Sequence, residues 1–391
     1  MKNQDVRIEV LDGLRALAIL LVILYHSVTA VPAGARSELM KNWLFVFFHN
    51  GWCGVDLFFV LSGFLITHQL LHSSLENDST RRSALLYYLK KRYFRIAPAY
   101  YLVLPVYLAI KVAGSDSEQH WVRVYLYHLL FMQDYSGRES LGLLWSLAIE
   151  AKFYLFAPLL VLLILRIGNI PMRFAALGVL LLLSPLLRVL SIWFCLDPFI
   201  DFTNYFFELR NRFHLMTDGL MAGTLCAFLW NDERIRGFLK LKTVANGLFV
   251  TGLIILLALT GRNILLLSPV TLFEKTLMVF VFASAFSFML LGLLGGCTGH
   301  RLFTSPVPRF IARVSYSLYL IHILVLPLQF YISEHVAFDS LVLSWMVGFA
   351  SFLGIALCCA WLMYTFVEKP FNDWSRRTTV LSAYTSGKPS A

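Results

Sequence analysis

Apolar stretches long enough to cross a bilayer recur along this chain from residue 12 to residue 366, and no other feature limits its fold as much. Backbone in hydrocarbon must satisfy its own N–H and C=O groups, which leaves helices for apolar runs of this length. Spanning takes about 20 residues. Ten segments fit: 12–31, 52–72, 96–113, 144–166, 174–195, 212–230, 244–260, 271–294, 313–333 and 341–366. The expectation is an all-α, polytopic membrane protein of about ten transmembrane helices. Of the 391 residues, 58% are hydrophobic and 14% charged, against about 25% charged in soluble proteins. The segment 121–133 is apolar but too short to cross, and is expected to be re-entrant or interfacial on the outer side.

Lys and Arg set the orientation. With the N-terminus inside, inner segments carry 21 of them and outer segments 9. That bias predicts both termini in the cytoplasm. It also accounts for the net charge of +10 without nucleic acid as a partner. Arg15 and His26 interrupt the first apolar run and no small-residue cleavage site is evident, so the first helix is expected to remain. A membrane domain over 1–372 is expected to be followed by a polar cytoplasmic tail, 373–391, without fixed structure. No fused soluble domain and no strong internal repeat is evident, which weakens a transporter built from duplicated halves. The six cysteines make no C-x-x-C, so neither a metal knuckle nor a disulfide framework is indicated.

Ionisable groups inside these segments are the candidate functional residues, because a charge at mid-span costs roughly 2.5–3.5 kcal/mol on insertion scales. Arg15 and His26 are eleven residues apart, which on a helix is one face at two depths about 16 Å apart. Asp12 can pair with Arg15 three residues on. Asp56, in "GVDLFFVLSGFLIT", is expected about one turn below the outer face, with Ser62 and Gly63 deeper. Gly63 reads as a point of close helix approach. Glu150 lies in "LLWSLAIEAKFYLFAP", with Lys152 nearby. His26, Asp56 and Glu150 are expected at similar depths on three helices, where an imidazole beside a carboxylate makes a general base. In "LYYLKKRYFRIAPAYY", Arg92 and Arg95 share one helix face and make a phosphate clamp. Each group also has a structural reading. Asp12–Arg15 can be a helix-start ion pair, His26 a hydrogen-bonded packing residue, and the basic cluster a headgroup anchor. His322 in "VSYSLYLIHILV" reads as packing or gating, and Glu368–Lys369 as an interfacial pair. The intramembrane His and carboxylates form no metal-ligand pattern such as H-E-x-x-H.

In combination and order, several motifs resemble the acyltransferase-3 family of membrane O-acyltransferases, from about residue 8 to 372. They are Arg15-x10-His26 in "LDGLRALAILLVILYHS", "GVDLFFVLSGFLI", Arg92-x-x-Arg95 in "KRYFRIAPAYY", "LWSLAIEAKFYLFAP", "VSYSLYLIHILV" and "FVEKPF". The resemblance implies an acyl-CoA donor, commonly acetyl-CoA, with no metal, and a hydroxyl acceptor on a cell-surface or exported glycan or glycolipid. It implies a multi-pass protein of the bacterial inner membrane. His26 matches the family's catalytic histidine, and Arg15, Arg92, Arg95 and Glu150 match its functional positions. Ala151 departs from the family, where a second acidic residue often follows Glu150. Some relatives carry an esterase-like domain after the membrane part, which this chain is expected to lack. The competing reading is a proton-coupled transporter or flippase of a polar lipid or glycan, which intramembrane Arg, His, Asp and Glu also fit. Turnover of the thioester separates the two.

Overall fold

The computed structural model describes residues 8–73, 78–113, 121–137, 141, 144–194, 202–262, 271–335 and 338–385. Lys2, Arg7, Arg138, Cys195 and Lys388, used in the readings above, lie outside the described residues, as do residues 386–391 of the expected tail. The described chain is helical throughout, without strands.

The principal helices are α1 (Glu9–Thr29), α2 (Gly54–Leu71), α3 (Asp78–Ala113), α4 (Trp145–Arg166), α5 (Ile170–Phe194), α6 (Asp218–Asn231), α7 (Lys242–Thr260), α8 (Met278–Leu294), α9 (Pro306–His335), α10 (Leu341–Met363) and α11 (Lys369–Thr385). Eight helical stretches among the described residues are long and apolar enough to cross a membrane. The expected spans 212–230 and 271–294 are shorter than predicted. Their first residues form short turns and helices of their own, Phe213–Leu215 and Leu272–Thr276, the second started by a Thr271–Glu274 capping box. What remains is α6, about 21 Å long, and α8, about 26 Å, at 1.5 Å per residue. The segment after residue 120 forms a nine-residue helix, Trp121–Leu129, too short to span. Helix α3 begins well before the expected span at 96 and includes the basic run 90–95. Helix α11 passes the expected domain boundary at 372 without a break.

Burial orders these helices. The apolar windows of α1 and of Trp43–Leu71 are 67% and 78% buried, against 28% for α5 and α7. The first two are interior. Outward faces of the others show Leu155, Val179, Trp193 and Ile254, apolar side chains that water would not favour and hydrocarbon does. Small residues set the tightest contact, between α2 and α6. A methyl group at Gly63 would overlap the Leu220 carbonyl, and one at Gly223 would overlap the Val60 carbonyl. Backbones approach there because no Cβ intervenes. Thr67 and Thr224 join the same two helices through their hydroxyls at 3.1 Å.

Helix α9 locks onto both α1 and α3. Gln329 Nε2 donates to the Ser27 carbonyl at 3.1 Å. Tyr316 and Tyr107 donate across to Ile96 and Leu320 carbonyls at 2.7 and 2.9 Å. The start of α4 is pinned by the turn Gln133–Tyr135. Gln133 Nε2 donates to the Leu144 carbonyl at 2.8 Å, and Lys152 reaches the Phe131 carbonyl at 3.0 Å and pairs with Asp134. Burial raises the Asp134 carboxyl above its ordinary range, and Lys152 draws it back.

Candidate active site

Arg15, Arg92, Arg95 and Glu150, four of the expected site residues, line one cavity between α1, α2, α3, α4 and α9. It encloses about 740 Å³ of space not filled by atoms, its open mouth included. The rest of the wall is mostly apolar and aromatic, with Ser62, Ser146, Tyr154, Tyr316 and Tyr319 as polar points.

The charge in the wall is three guanidiniums against one carboxylate. Arg15 has Asp12 behind it at 3.9 Å, too long for a hydrogen bond. Arg92 donates to Gln69 Oε1 at 2.5 Å and lies against the Tyr88 and Tyr154 rings, while its Nε is buried without a partner. Arg95 makes no hydrogen bond or ion pair among the described residues, although Glu150 and Glu368 lie within electrostatic reach. A buried N–H without an acceptor is costly. Unused guanidinium donors around a cavity therefore fit an anionic ligand, such as a phosphate.

Glu150 is held by two hydroxyls. Ser62 donates to one carboxylate oxygen at 2.5 Å and Tyr154 to the other at 3.1 Å. Ser62 lies six residues beyond Asp56 on α2, about 9 Å deeper. The expected meeting of Asp56 and Glu150 at one depth is therefore not formed. Asp56 is 1% exposed and pairs instead with Arg210 at 3.0 Å, with the guanidinium 4.2 Å from the Trp52 ring centre. A carboxylate so deeply buried needs a cation, and Arg210 supplies it. Sequence reading counted Arg210 only as an outer-loop charge. It sits in a π-helical turn, Phe206–Arg210, which departs from the 3.6-residue periodicity that would have pointed it inward. Lys152 turns from Glu150 to Asp134. Glu368 does not pair with Lys369. It is buried and accepts from Ser317 Oγ at 2.9 Å.

His26 does not line the cavity. It stands one layer beyond, reached through two rings of α9. Tyr319 lines the cavity and bonds Ser146 at 2.7 Å. The Tyr319 and His322 rings are 5.8 Å apart, and those of His322 and His26 are 5.0 Å apart. His26 Nδ1 is 2.9 Å from the Val22 carbonyl. Arg15 and His26 occupy one unbroken helix, so the cavity's basic end and the imidazole are about 16 Å apart along α1. Among the described residues no group of three or more His, Cys, Asp or Glu is placed to hold a metal ion.

A family model described as an acyltransferase domain, acyltransferase-3, matches residues 8–365. The chain is 27% identical over 381 residues to a Staphylococcus aureus protein provisionally named an O-acetyltransferase, covering 93% of this chain and 57% of that protein. It is 28% identical over 338 residues to the peptidoglycan O-acetyltransferase OatA of Listeria monocytogenes, covering 80% of this chain and 48% of the relative. Over 174 residues it is 32% identical to the O-acetyltransferase OatA of Staphylococcus aureus, covering 40% of this chain and 25% of the relative. The chain thus spans about half the length of the curated relatives it matches over most of its own. No solved structure matches it.

Proposed function

From the premise that the chain belongs to the acyltransferase-3 family, we propose that it transfers an acetyl group from cytoplasmic acetyl-CoA to a hydroxyl of a cell-envelope glycan, in a bacterial inner membrane. One observation carries this reading: three guanidiniums, Arg92 with an orphan Nε, line a cavity whose wall includes Tyr319, and behind Tyr319 stand the rings of His322 and His26. Arg92 and Arg95 bind phosphates at the end of the donor. Arg15 lies along its path. The thioester reaches the His26 end, about 16 Å away along α1.

His26 takes the proton from the acceptor hydroxyl as its oxygen attacks the thioester carbonyl. The thiolate leaves and takes that proton back, giving the ester and free CoA thiol. Glu150, between Ser62 and Tyr154, orients the Arg15 and Arg95 charges rather than serving as the base. Asp56 and Arg210 hold the neighbouring shell. The named activities of the relatives agree with an O-acetyl product.

Surface glycans of cells with and without the protein, compared by mass spectrometry, test the reading. Acetylated sugars present only with the protein, together with thiol release from acetyl-CoA by the purified protein, are the expected result. A transporter would leave the thioester intact, and that outcome would overturn the proposal.

A further inference from the structure

The proton positions on His26 and His322 follow from their partners. His322 is 1% exposed. Its Nδ1 lies 2.7 Å from the Tyr319 carbonyl and 3.2 Å from the Leu318 carbonyl. Carbonyl oxygens only accept, so Nδ1 carries the ring proton. The Nε2 of the neutral ring is then bare and can only accept. Its neighbour is His26 Nδ1, at 3.3 Å. That nitrogen must be N–H, and the Val22 carbonyl at 2.9 Å independently requires the same. The reverse order would set bare nitrogens against three carbonyls. Both rings are therefore Nδ1–H, and the lone pair of His26 lies on Nε2.

The Val22 carbonyl is a shared partner. It sits four residues before His26 on the same helix, where it already accepts a backbone N–H. His322 Nε2 has no other donor among the described residues, so its lone pair serves His26 alone, whereas the Val22 carbonyl divides its two lone pairs between the backbone N–H and the ring.

We propose that His322 is a positioning residue: it accepts the His26 Nδ1–H, keeps the basic lone pair on Nε2, and steadies the imidazolium formed when Nε2 takes a proton. The proposal rests on acyl transfer with His26 as the base. The balance is simple. The acceptor hydroxyl proton moves to His26 Nε2, the Nδ1–H bond to His322 strengthens while His26 is charged, and Nε2 returns the proton to the departing thiolate. A base held in the wrong tautomer loses about 10⁴ in rate in the serine-protease triad, which gives the scale of such an effect.

Two variants separate this role from packing. The terminal oxygen of His322→Gln can accept where Nε2 does, and His322→Leu cannot. Acetyl-CoA titration of purified protein in nanodiscs measures donor affinity. Acetate released by base from surface glycans measures transfer. Nitrogen NMR of labelled histidine, with His26 assigned by difference against His26→Ala, reads the tautomer directly. The expected pattern for His322→Leu is donor affinity within about twofold of the parent and transfer reduced about 10²-fold or more. His322→Gln recovers most of that loss. The parent spectrum shows His26 Nδ1–H, and His322→Leu admits the Nε2–H form.

A parent His26 found as Nε2–H overturns the proposal, as does an unchanged tautomer in His322→Leu, which would assign the order to Val22 alone. Full transfer by His322→Leu overturns it too. If the parent acetylates no glycan, acyl transfer itself fails, and the ring-nitrogen spectra still decide whether His322 orders His26.

Discussion

Each ionisable side chain inside this bundle has to be matched, and the matches divide supporting pairs from reactive groups. Arg188 and Asp218 are 1% and 0% exposed and form two bonds of 2.7 Å. Removing one partner of such a pair strands a charge, at a cost of about 3–5 kcal/mol, whereas replacing both by apolar residues is often neutral. Arg188→Met should therefore lower thermal stability sharply in detergent, and adding Asp218→Leu should restore most of it. The arginines of the cavity should behave differently, because Arg95 spends no donor and Arg92 leaves its Nε unspent. Arg92→Ala and Arg95→Ala should leave folding nearly intact and weaken acetyl-CoA binding about ten- to hundredfold, the worth of a charged hydrogen bond. His26→Ala should bind acetyl-CoA normally and transfer almost nothing. Isothermal titration and turnover on the same preparations check both expectations. The sequence showed which residues were expensive in the membrane. It could not show their partners. Asp56 and Arg210 are 154 positions apart, and Arg188 and Asp218 are 30 apart. Only the folded chain brings them together.

At the scale of elements, small residues matter more than hydrophobic pattern. Apolar residues lie on every face of α2, so periodicity carries little information about which face meets which helix. Gly63 was legible as a point of close approach, and the structure puts the Leu220 backbone there. The choice of α6 as the neighbour was not legible, because it depends on Gly219 and Gly223 being presented at matching heights. Gly223→Val should separate α2 from α6, remove the Thr67–Thr224 bond and lose well over 1 kcal/mol of stability, a steric effect of overpacking. Gly178→Ala on α5 is the control. Nothing lies within 4 Å of a methyl group there, and the helix should gain about 0.5–1 kcal/mol. Melting of the two variants in one detergent reads the contrast. The element boundaries missed by sequence, at 212–217 and 271–277, are those where an apolar run conceals a turn. The turn is specified by capping and long-range contacts, which hydropathy does not register.

For the whole molecule, the property that decides the proposed donor path is which end of the bundle faces the cytoplasm. Helix α2 runs antiparallel to α1, with the contact of Gly54 on Ala18 fixing their register, and α6 runs parallel to α2, with Asp218 near Asp56 and Asn231 at the far end. The Arg15 end of α1, the end of α6 and the basic run of α3 therefore share one side, and His26 with the loop after α1 takes the other. That first side also carries the larger share of Lys and Arg, as a cytoplasmic face should. Two exposed positions test the orientation without disturbing a cap or a buried contact. Lys41 follows the His26 end and pairs only with Glu38 at the surface, and Glu233 follows α6 and is 88% exposed. In an otherwise cysteine-free background, Lys41→Cys should react with an impermeant maleimide on intact cells. Glu233→Cys should react only after permeabilisation. The opposite pattern would turn the arginine-lined cavity away from the cytoplasm. No acyl-CoA could then enter it as drawn, and the donor path along α1 would fail even if His26 kept its place in the chemistry.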